Sequence, residues 1–482
     1  MSILSLNECF FPCQQLFITD ELLRSLCEQT NLQAMRQMEA QPITTAHVPQ
    51  WVPVGVKEMK RFLALLFLTG IVRKPHLHMY WSVDELHYTP FFGATMTRNR
   101  FQAISRYFHF NDSMNLDASD RMYRVRPVLD HLLAKFKELY QPGEEISIDE
   151  GMLPWRGRLA FRVYNPRKPV KYGIKNYMLC DSRTGYCYNM MPYVGECMPL
   201  RDTVFGLLNG LKGLGHTLFM DNFYNSVGLC HALLEEHTNV CGTLRAHRGE
   251  PPIIRDVTVK KLQPGKTIMQ HDGKVMVLAW RFTNIVRMVS TCHEDQMKDV
   301  EVWRRGMHQK VTVHKPLCVT QYNEFMNGVD RLDQNLSYYP TIRKTLKWPR
   351  KYVLYLFQVA IFNASVIYRA KNPRKKMTLL AFIQGVIRAW VSKTSEEGED
   401  EPRRHQRRMQ NDPLHRLDGD MRRHVEEHIP PTGKKGRKAS RRCQVCSRRG
   451  KRSETVFWCK ACKVPLHHGE CFHAFHTKQN YS

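Results

Sequence analysis

Three aspartates far apart in the chain place the strongest constraint on how these 482 residues can fold. Asp149 follows the segment EEISI and Asp221 follows HTLFM, so each stands where a short apolar run ends. Short apolar runs between turn residues are typical of strands, and a carboxylate that ends one is expected at the rim of a sheet. Asp330 instead lies in a helical stretch with Asp333 three residues later, and residues at this spacing share a helix face. The pattern therefore predicts an α/β core with acidic strand ends.

Carboxylates in this arrangement suit the cleavage of a phosphodiester. That reaction uses hard divalent cations, which prefer oxygen ligands and keep positions open for substrate phosphate. Two such ions, about 4 Å apart, stabilise both the attacking and the leaving oxygen. The order of two strand-end carboxylates and a later helical one is the order expected of an RNase H-like nuclease core. A single aspartate is more often a helix cap or a surface charge, so the prediction depends on the residues around all three.

The segments around these aspartates are specific enough to indicate a family. They read SIDEGMLPWRGRLAFRVYNPRKPVKYGIKNYMLCDSRTGYCYNMMPYVGE, LFMDNFYNS, CGTLRAHRGEPP and NEFMNGVDRLDQNLSYY, and a cysteine-rich tail follows them. In this order they resemble the piggyBac-type transposases, from about residue 50 to the C-terminus. Members of that family carry three essential aspartates and a nearby fourth, which correspond here to Asp149, Asp221, Asp330 and Asp333.

The resemblance implies a cut-and-paste DNA transposase. Two Mg²⁺ ions would be held by Asp149, Asp221 and Asp330, with Asp333 as a supporting residue. Water would nick double-stranded DNA at a terminal inverted repeat, and the freed 3′-hydroxyl would attack the opposite strand and later the target. The family excises its elements through a hairpin and integrates them at TTAA. Because two transposon ends must be held together, the resemblance also implies a homodimer.

The composition supports a nucleic-acid partner independently of the aspartates. With 72 Lys and Arg against 45 Asp and Glu, the formal charge is +27 and the isoelectric point is near 9.6. Such a balance attracts phosphate, and binding is driven by the release of counterions from DNA. The hydrophobic fraction of 43% supplies enough material for large cores and excludes global disorder.

The sequence also predicts an intracellular protein. Its N-terminus lacks the basic and uninterrupted apolar regions of a signal peptide. The fifteen cysteines show no secreted disulfide framework, because ten are scattered through the first 318 residues and five cluster after residue 440. The apolar segment 352–368 includes Gln358, Asn363 and Ser365 and is interpreted as a buried helix, not a membrane span. A nuclear location is expected for an enzyme that acts on DNA.

The apolar patterns predict a mixed architecture: an RNase H-like core with a β-rich insertion, a mostly helical domain and a small zinc-binding domain. Helical periodicity in the first part includes Thr97 as an N-cap and Pro127 in a first turn. The predicted divisions are 1–145, helical dimerisation and DNA-binding domain; 146–248, first part of the core; 249–316, insertion; 317–336, second part of the core; 337–393, helical return; 394–440, basic polar linker; and 441–482, cysteine-rich zinc domain.

The stretch after Asp149 is strongly basic, with no acidic residue between Gly151 and Cys180. Cations beside a carboxylate site would make the approach of phosphate favourable, whereas the alternative is a solvated hairpin face. By resemblance, two arginines in CGTLRAHRG contact DNA during strand transfer. The predicted DNA-binding residues are Arg156, Arg158, Lys168, Lys171, Lys175, Arg245 and Arg248, with Arg162 and Arg167 in the same basic stretch.

The C-terminal tail has the spacing of a zinc module: CQVC, twelve residues, CKAC, and then VPLHHGECFHAFH. Thiolates with imidazoles in a basic intracellular tail select Zn²⁺ in tetrahedral sites. The predicted ligands are Cys443, Cys446, Cys459, Cys462, His467, Cys471 and His476. Two closed sites need eight ligands, so His473 or His468 is considered as the eighth. A structural cross-brace with two zinc ions is the preferred arrangement.

Two other functions remain open at this point. One is a domesticated DNA-binding or chromatin protein that keeps the fold without the reaction, which the intact aspartates disfavour. The other is a ubiquitin ligase built on the cross-brace zinc module. That function leaves about the first 400 residues without a role.

Overall fold

The computed structural model describes residues 15–40, 51–112, 114, 117, 119–166, 170–196, 198–258, 261–303, 309–341, 345–392, 414–417, 421–430, 439–478 and 481. The chain divides into two compact units, residues 1–396 and 397–482. All four predicted catalytic aspartates belong to the first unit, and the predicted zinc ligands belong to the second.

The first unit begins with helices, as the periodicity predicts. They are α1 (Asp20–Ala40), α2 (Val56–Ile71), α3 (Pro90–Thr95), α4 (Arg98–Tyr107) and α5 (Arg126–Leu139), with short 3₁₀ turns at Leu77–Trp81 and Glu85–His87. The hydroxyl of Thr97 accepts a hydrogen bond from the backbone N–H of Arg100, so the predicted N-cap of α4 is confirmed. Pro127 lies in the first turn of α5, where its missing N–H costs no hydrogen bond.

A nine-stranded mixed sheet forms the centre of the first unit. Its strands are β1 (Glu145–Pro154), β2 (Val163–Tyr164), β3 (Tyr172–Asp181), β4 (Cys187–Pro192), β5 (Thr217–Met220), β6 (Asn239–Thr243), β7 (Thr267–His271), β8 (Met276–Arg281) and β9 (Ile285–Ser290). They are ordered β2-β3-β1-β5-β6-β9-β8-β7, and β4 pairs with β3. Among the described strands, the β1–β5 and β5–β6 pairings are parallel and the others are antiparallel. The helices between these strands are α6 (Leu200–Leu207), α7 (Val227–Glu235) and α8 (Pro252–Arg255).

The predicted insertion, residues 249–316, extends this sheet. β9 pairs antiparallel with β6, and β7 and β8 form the hairpin predicted at HDGK. Asp272 closes that turn by accepting hydrogen bonds from the backbone N–H groups of Lys274 and Val275. Beyond the sheet, β10 (Met297–Trp303) and β11 (Lys310–Pro316) form a two-stranded ribbon.

Four helices complete the first unit: α9 (Leu317–Phe325), α10 (Gly328–Tyr338), α11 (Trp348–Lys371) and α12 (Leu379–Ser392). In the described part of the chain, α11 alone is long and apolar enough to cross a membrane, yet every residue from Tyr352 to Tyr368 is buried within the protein. Its Asn363 side chain bonds both the backbone N–H and the carbonyl of Cys187. The helix is therefore the buried core helix that the sequence predicts.

The second unit is small and folds around cysteines and histidines. It contains 3₁₀ turns at Leu414–Leu417 and Met421–Arg423, followed by β12 (Glu426–His428), β13 (Arg441–Arg442), α13 (Gln444–Arg448), β14 (Glu454–Thr455), β15 (Phe457–Cys459), β16 (Val464–Pro465) and α14 (Glu470–Thr477). β15 lies between β12 and β16 in a three-stranded sheet. Its core includes the cysteines themselves together with Leu466, Phe475 and Tyr481.

One prediction about this unit is wrong. Part of the segment 394–440, interpreted as a linker, is folded: β12 pairs with β15, and the side chains of Arg416 and Ile429 are buried. Arg416 donates to the carbonyls of Phe475 and Lys478. The sequence does not indicate this folding, because the segment is polar. Its order comes from cross-strand hydrogen bonds and from contacts with the cysteine-rich residues.

Candidate functional site

The register of the two parallel strands β1 and β5 brings the first two aspartates together. Ile148 is opposite Met220 in the last pair of this ladder. Asp149 and Asp221 are the next residues on the two strands, so the carboxylates lie at neighbouring positions where the parallel pairing ends. Strand spacing in a sheet is about 4.8 Å, which is a distance that metal ions can bridge.

The expectation that Asp149 ends a strand is wrong. β1 continues to Pro154 because its other neighbour, β3, keeps pairing with it from Asp149 opposite Met178 to Pro154 opposite Gly173. What ends at Asp149 is the pairing with β5. The carboxylate therefore projects from the middle of a strand that is held on one side, which fixes its backbone more firmly than a loop would.

Asp221 starts a tight turn whose backbone is well anchored. Its carboxylate accepts a hydrogen bond from the N–H of Phe223 at 2.9 Å. The amide of Asn225 donates to the carbonyls of Met220 and Thr243, on β5 and β6. At Gly242 on β6, a Cβ would lie 2.0 Å from the Met220 carbonyl oxygen, so only glycine permits this approach of the two strands.

Tyr322, on helix α9, lies close enough to both carboxylates for their charges to affect its pKa. Burial raises the pKa of Tyr322 to about 12, and the negative charges of Asp221 and Asp149 contribute to the increase. Both aspartates are half-buried. A single side chain affected by both charges supports the conclusion that the two carboxylates share one site.

Helix α10, which carries Asp330 and Asp333, packs against β1 and β3. A Cβ at its Gly328 would lie 2.3 Å from the hydroxyl oxygen of Ser147 on β1, so the glycine permits close packing. Asp333 is half-buried, and its charge, after burial, raises the pKa of Tyr355. The hydroxyl of Tyr355 lies 3.4 Å from the sulfur of Met178, the residue opposite Asp149.

The two helical aspartates differ in exposure. Asp330, the predicted metal ligand, is exposed, whereas Asp333 lies at the boundary of the core. The structure thus brings Asp149 and Asp221 together where the β1–β5 pairing ends, and it packs the helix with both later aspartates against β1. The choice of Asp330 as the ligand and Asp333 as its support stays a prediction. The donor set is made of carboxylate oxygens, which fits Mg²⁺.

The predicted DNA-binding residues fall into two kinds. Arg156, Arg158 and Lys171 are exposed, and Lys168 lies outside the described residues. Lys175 is packed differently: its ammonium donates to the hydroxyl of Tyr177 at 2.8 Å, and it lies 4.3, 4.8 and 5.5 Å from the ring centroids of the aromatic residues Tyr177, Tyr193 and Phe223. Three rings around one ammonium stabilise it by cation–π attraction.

The two predicted strand-transfer arginines follow β6, beside the turn of Asp221. Arg245 is exposed, its Nε donates to the Asn222 side chain at 2.8 Å, and its guanidinium lies 6.0 Å from the Phe223 ring. Arg248 is half-buried, and its backbone N–H donates to the carboxylate of Glu250. Arg245 and Lys175 therefore contact the same ring, two residues after a predicted metal ligand.

In the second unit, eight side chains form two groups that could each hold a metal ion. The groups are His424, Cys459, Cys462 and His476, and Cys443, Cys446, His467 and Cys471, with the ligand atoms of each group within 4.8 Å of one another. All seven predicted ligands take part. The eighth residue is His424, and neither His473 nor His468 belongs to a group.

The two groups interleave along the chain, as a cross-brace requires. The pairs Cys443–Cys446 and Cys459–Cys462 belong to different groups, and the later ligands alternate in the same way. His476 Nδ1 hydrogen-bonds the carbonyl of Phe472 at 2.8 Å, which leaves Nε2 facing Cys462 at 3.5 Å. Such second contacts orient imidazoles for metal binding. Closed sets of four thiolates and imidazoles suit structural Zn²⁺.

Comparison with known proteins agrees with this geometry. A family model described as Transposase IS4 matches residues 12–365, which is most of the chain. The chain belongs to the piggyBac transposase family. The chain is also similar to a solved structure, a piggyBac transposase synaptic complex with hairpin DNA. The two are 26% identical and match over 80% of each chain with a TM-score of 0.70. This match confirms the α/β architecture predicted from the sequence.

Two human relatives share the piggyBac name. The chain is 26% identical to PiggyBac transposable element-derived protein 3 over 480 residues, covering 96% of this chain and 75% of that protein. It is 28% identical to PiggyBac transposable element-derived protein 2 over 342 residues, covering 68% of this chain and 57% of that protein. Each alignment therefore leaves part of the relative's length unmatched.

Sequence reasoning missed two residues beside the aspartates of the first unit and one metal-group residue of the second unit. Phe223 and Tyr224 stand in the quoted motif LFMDNFYNS. An aromatic residue after a carboxylate is usually interpreted as a core residue, so the motif alone does not indicate their contacts with the site. Tyr224 is buried and donates to the Glu150 carboxylate at 2.9 Å. His424 carries no local signal, because it precedes the cysteines in a polar segment.

Proposed function

We propose that the protein is a Mg²⁺-dependent DNA transposase that cleaves transposon ends and joins them to TTAA targets. The observation that carries the proposal is the strand register, which puts Asp149 and Asp221 side by side next to the helix of Asp330 and Asp333. Family membership supplies the reaction class. The proposal extends to work on double-stranded DNA as a homodimer in the nucleus.

The residues of the site can be assigned to steps. Asp149, Asp221 and Asp330 would hold two Mg²⁺ ions, which would supply charge stabilisation at the reacting phosphate. The exposed Arg156, Arg158 and Lys171 would position the scissile strand through its phosphates. Water would attack the phosphodiester and release a 3′-hydroxyl, which would then attack the opposite strand and close a hairpin. After hairpin opening, the same hydroxyl would attack the target.

The second unit would serve in end recognition. Its two closed groups of ligands would bind two structural Zn²⁺ ions, and folding would depend on them. Loss of one site would then remove end-specific binding while the basic residues of the first unit keep nonspecific affinity for DNA.

The test is nicking of a supercoiled plasmid that carries the inverted repeats flanking the gene, with Mg²⁺ present or absent. We expect Asp149→Ala, Asp221→Ala and Asp330→Ala each to abolish nicking while DNA binding persists, and Asp333→Ala to have a milder effect. Asp299→Ala is the matched control, because Asp299 is an exposed carboxylate on the β10–β11 ribbon. A wild-type chain that binds the repeats and never cuts them would instead be the catalytically silent DNA-binding protein.

A further inference from the structure

A group of positively charged side chains meets where α4 ends and α11 begins. Arg350, in the first turn of α11, donates from Nη2 to the backbone carbonyl of Arg106 at 2.5 Å. Lys347 donates from Nζ to the same carbonyl at 3.4 Å. Two cations, one at the N-cap and one in the first turn of α11, thus converge on the last turn of α4, although more than 200 residues separate each of them from Arg106 in sequence.

Arg124 and Arg36 add positive charge around His109, next to the same group. Burial lowers the pKa of His109 to about 4, and the charges of Arg124, Lys347, Arg350 and Arg36 lower it too, in that order. The imidazole is therefore neutral at physiological pH and surrounded by cations. Arg36 has its own counterion, because it pairs with Asp112 at 2.5 Å.

The remaining cations have no such counterion. Within the described residues, Arg106, Arg124, Lys347 and Arg350 form no ion pair with a carboxylate. Burial lowers the pKa of Arg350 to about 10, and its Nε is buried without a hydrogen-bond partner among those residues. Holding like charges together and desolvating one of them costs free energy unless an anion compensates.

The position of the group on α11 favours an anion further. The first turn of a helix presents unbonded N–H groups and the positive end of the helix dipole. Arg106, Arg124 and Lys347 are exposed, so an extended ligand can reach them. These side chains are therefore arranged to bind an anion from solvent.

We propose that Arg106, Arg124, Lys347 and Arg350 form a binding site for the phosphodiester backbone of duplex DNA. The identity of the ligand rests on the proposed function. The site adjoins the basic loop after β1: the ring of Trp348 contacts that of Phe161 at 5.4 Å. A duplex whose strand lies along the exposed arginines of that loop would continue onto this site. It would add contacts away from the reacting phosphate and carry no base sequence information.

The test compares two double variants by fluorescence anisotropy on a random-sequence duplex over a range of salt concentrations. Lys347→Gln/Arg350→Gln should weaken binding about tenfold or more near 0.1 M salt and reduce the slope of log K against log salt by about two, because each phosphate contact contributes about 0.9. Arg374→Gln/Lys375→Gln removes the same charge just beyond the other end of α11, at exposed positions. It should leave the slope unchanged.

Two further measurements keep the inference independent of folding and of the proposed function. Lys347→Gln alone, at an exposed position, should reduce the slope by about one. Sulfate should raise the melting temperature of the wild type, relative to chloride at equal ionic strength, by more than it raises that of Lys347→Gln/Arg350→Gln.

The outcomes separate the two proposals. If both Lys347 variants bind DNA with an unchanged slope of log K against log salt, the phosphate site is overturned and the transposase proposal stays intact. The four cations of the group then make no phosphate contact. Equal slope losses in the control also overturn it, because they reflect net charge alone. A wild type that binds no DNA, yet shows the sulfate difference, overturns the DNA ligand and the transposase proposal while the anion site stands.

Discussion

Replacing His424 tests the least expected feature of the second unit. His424 is buried, and its Nδ1 lies 3.6 and 3.5 Å from the sulfurs of Cys459 and Cys462. Structural zinc sites bind with about 10–16 kcal/mol, so one ligand of four accounts for about 2.5–4 kcal/mol. His424→Ala should therefore weaken zinc binding at this site by a factor of about 10² to 10³, since about 1.4 kcal/mol corresponds to tenfold.

The assay is zinc release from the full chain, followed with a chromogenic chelator over a range of concentrations. The wild type should release two zinc ions together at high chelator concentration. His424→Ala should lose one ion at chelator concentrations about 10² to 10³ lower. His473→Ala is the matched control, because His473 is an exposed histidine on α14 outside both groups. Retention of both ions with wild-type affinity in His424→Ala would refute the assignment of this ligand.

Three other predictions follow from the first unit. Phe223→Ala should lower the rate of nicking at saturating DNA, because the ring holds Lys175 and Arg245 beside Asp221, whereas Phe223→Trp should keep the rate near that of the wild type. Equal nicking rates in the two variants would contradict this. Gly242→Ala should destabilise the protein by about 3 kcal/mol or more in urea unfolding, since its Cβ would meet the Met220 carbonyl, whereas Gly228→Ala has open space and should cost little. Asn363→Ala should cost about 2–5 kcal/mol, because it leaves both backbone groups of Cys187 unpaired, and a midpoint equal to the wild type would refute this.

The differing packing of the predicted DNA contacts bears on their roles. Arg156 and Arg158 are exposed and free to follow a phosphate backbone, whereas the charge of Lys175 is already stabilised by three rings. Substitution of Lys175 would therefore disturb the turn after β5 as well as the local charge. The sequence could not distinguish these cases, since all three are cations in one basic stretch.

The sequence by itself determined features whose cause is local. The N-cap at Thr97, the hairpin at HDGK and the buried helix over 352–368 each depend on neighbouring residues and their periodicity. The four predicted catalytic aspartates and the seven predicted zinc ligands also stand in short motifs, because the chemistry proposed for them needs particular side chains at close spacing.

Only the tertiary structure decided how distant segments meet. The register of β1 on β5 puts Asp149 beside Asp221, and continued pairing with β3 keeps Asp149 inside a strand. Similarly, His424 reaches Cys459, Cys462 and His476, and Arg350 reaches Arg106, across long stretches of sequence. These contacts depend on strand pairing and helix packing over the whole unit. No local pattern encodes them, because the free energy of such packing is shared among many residues that are far apart in the chain.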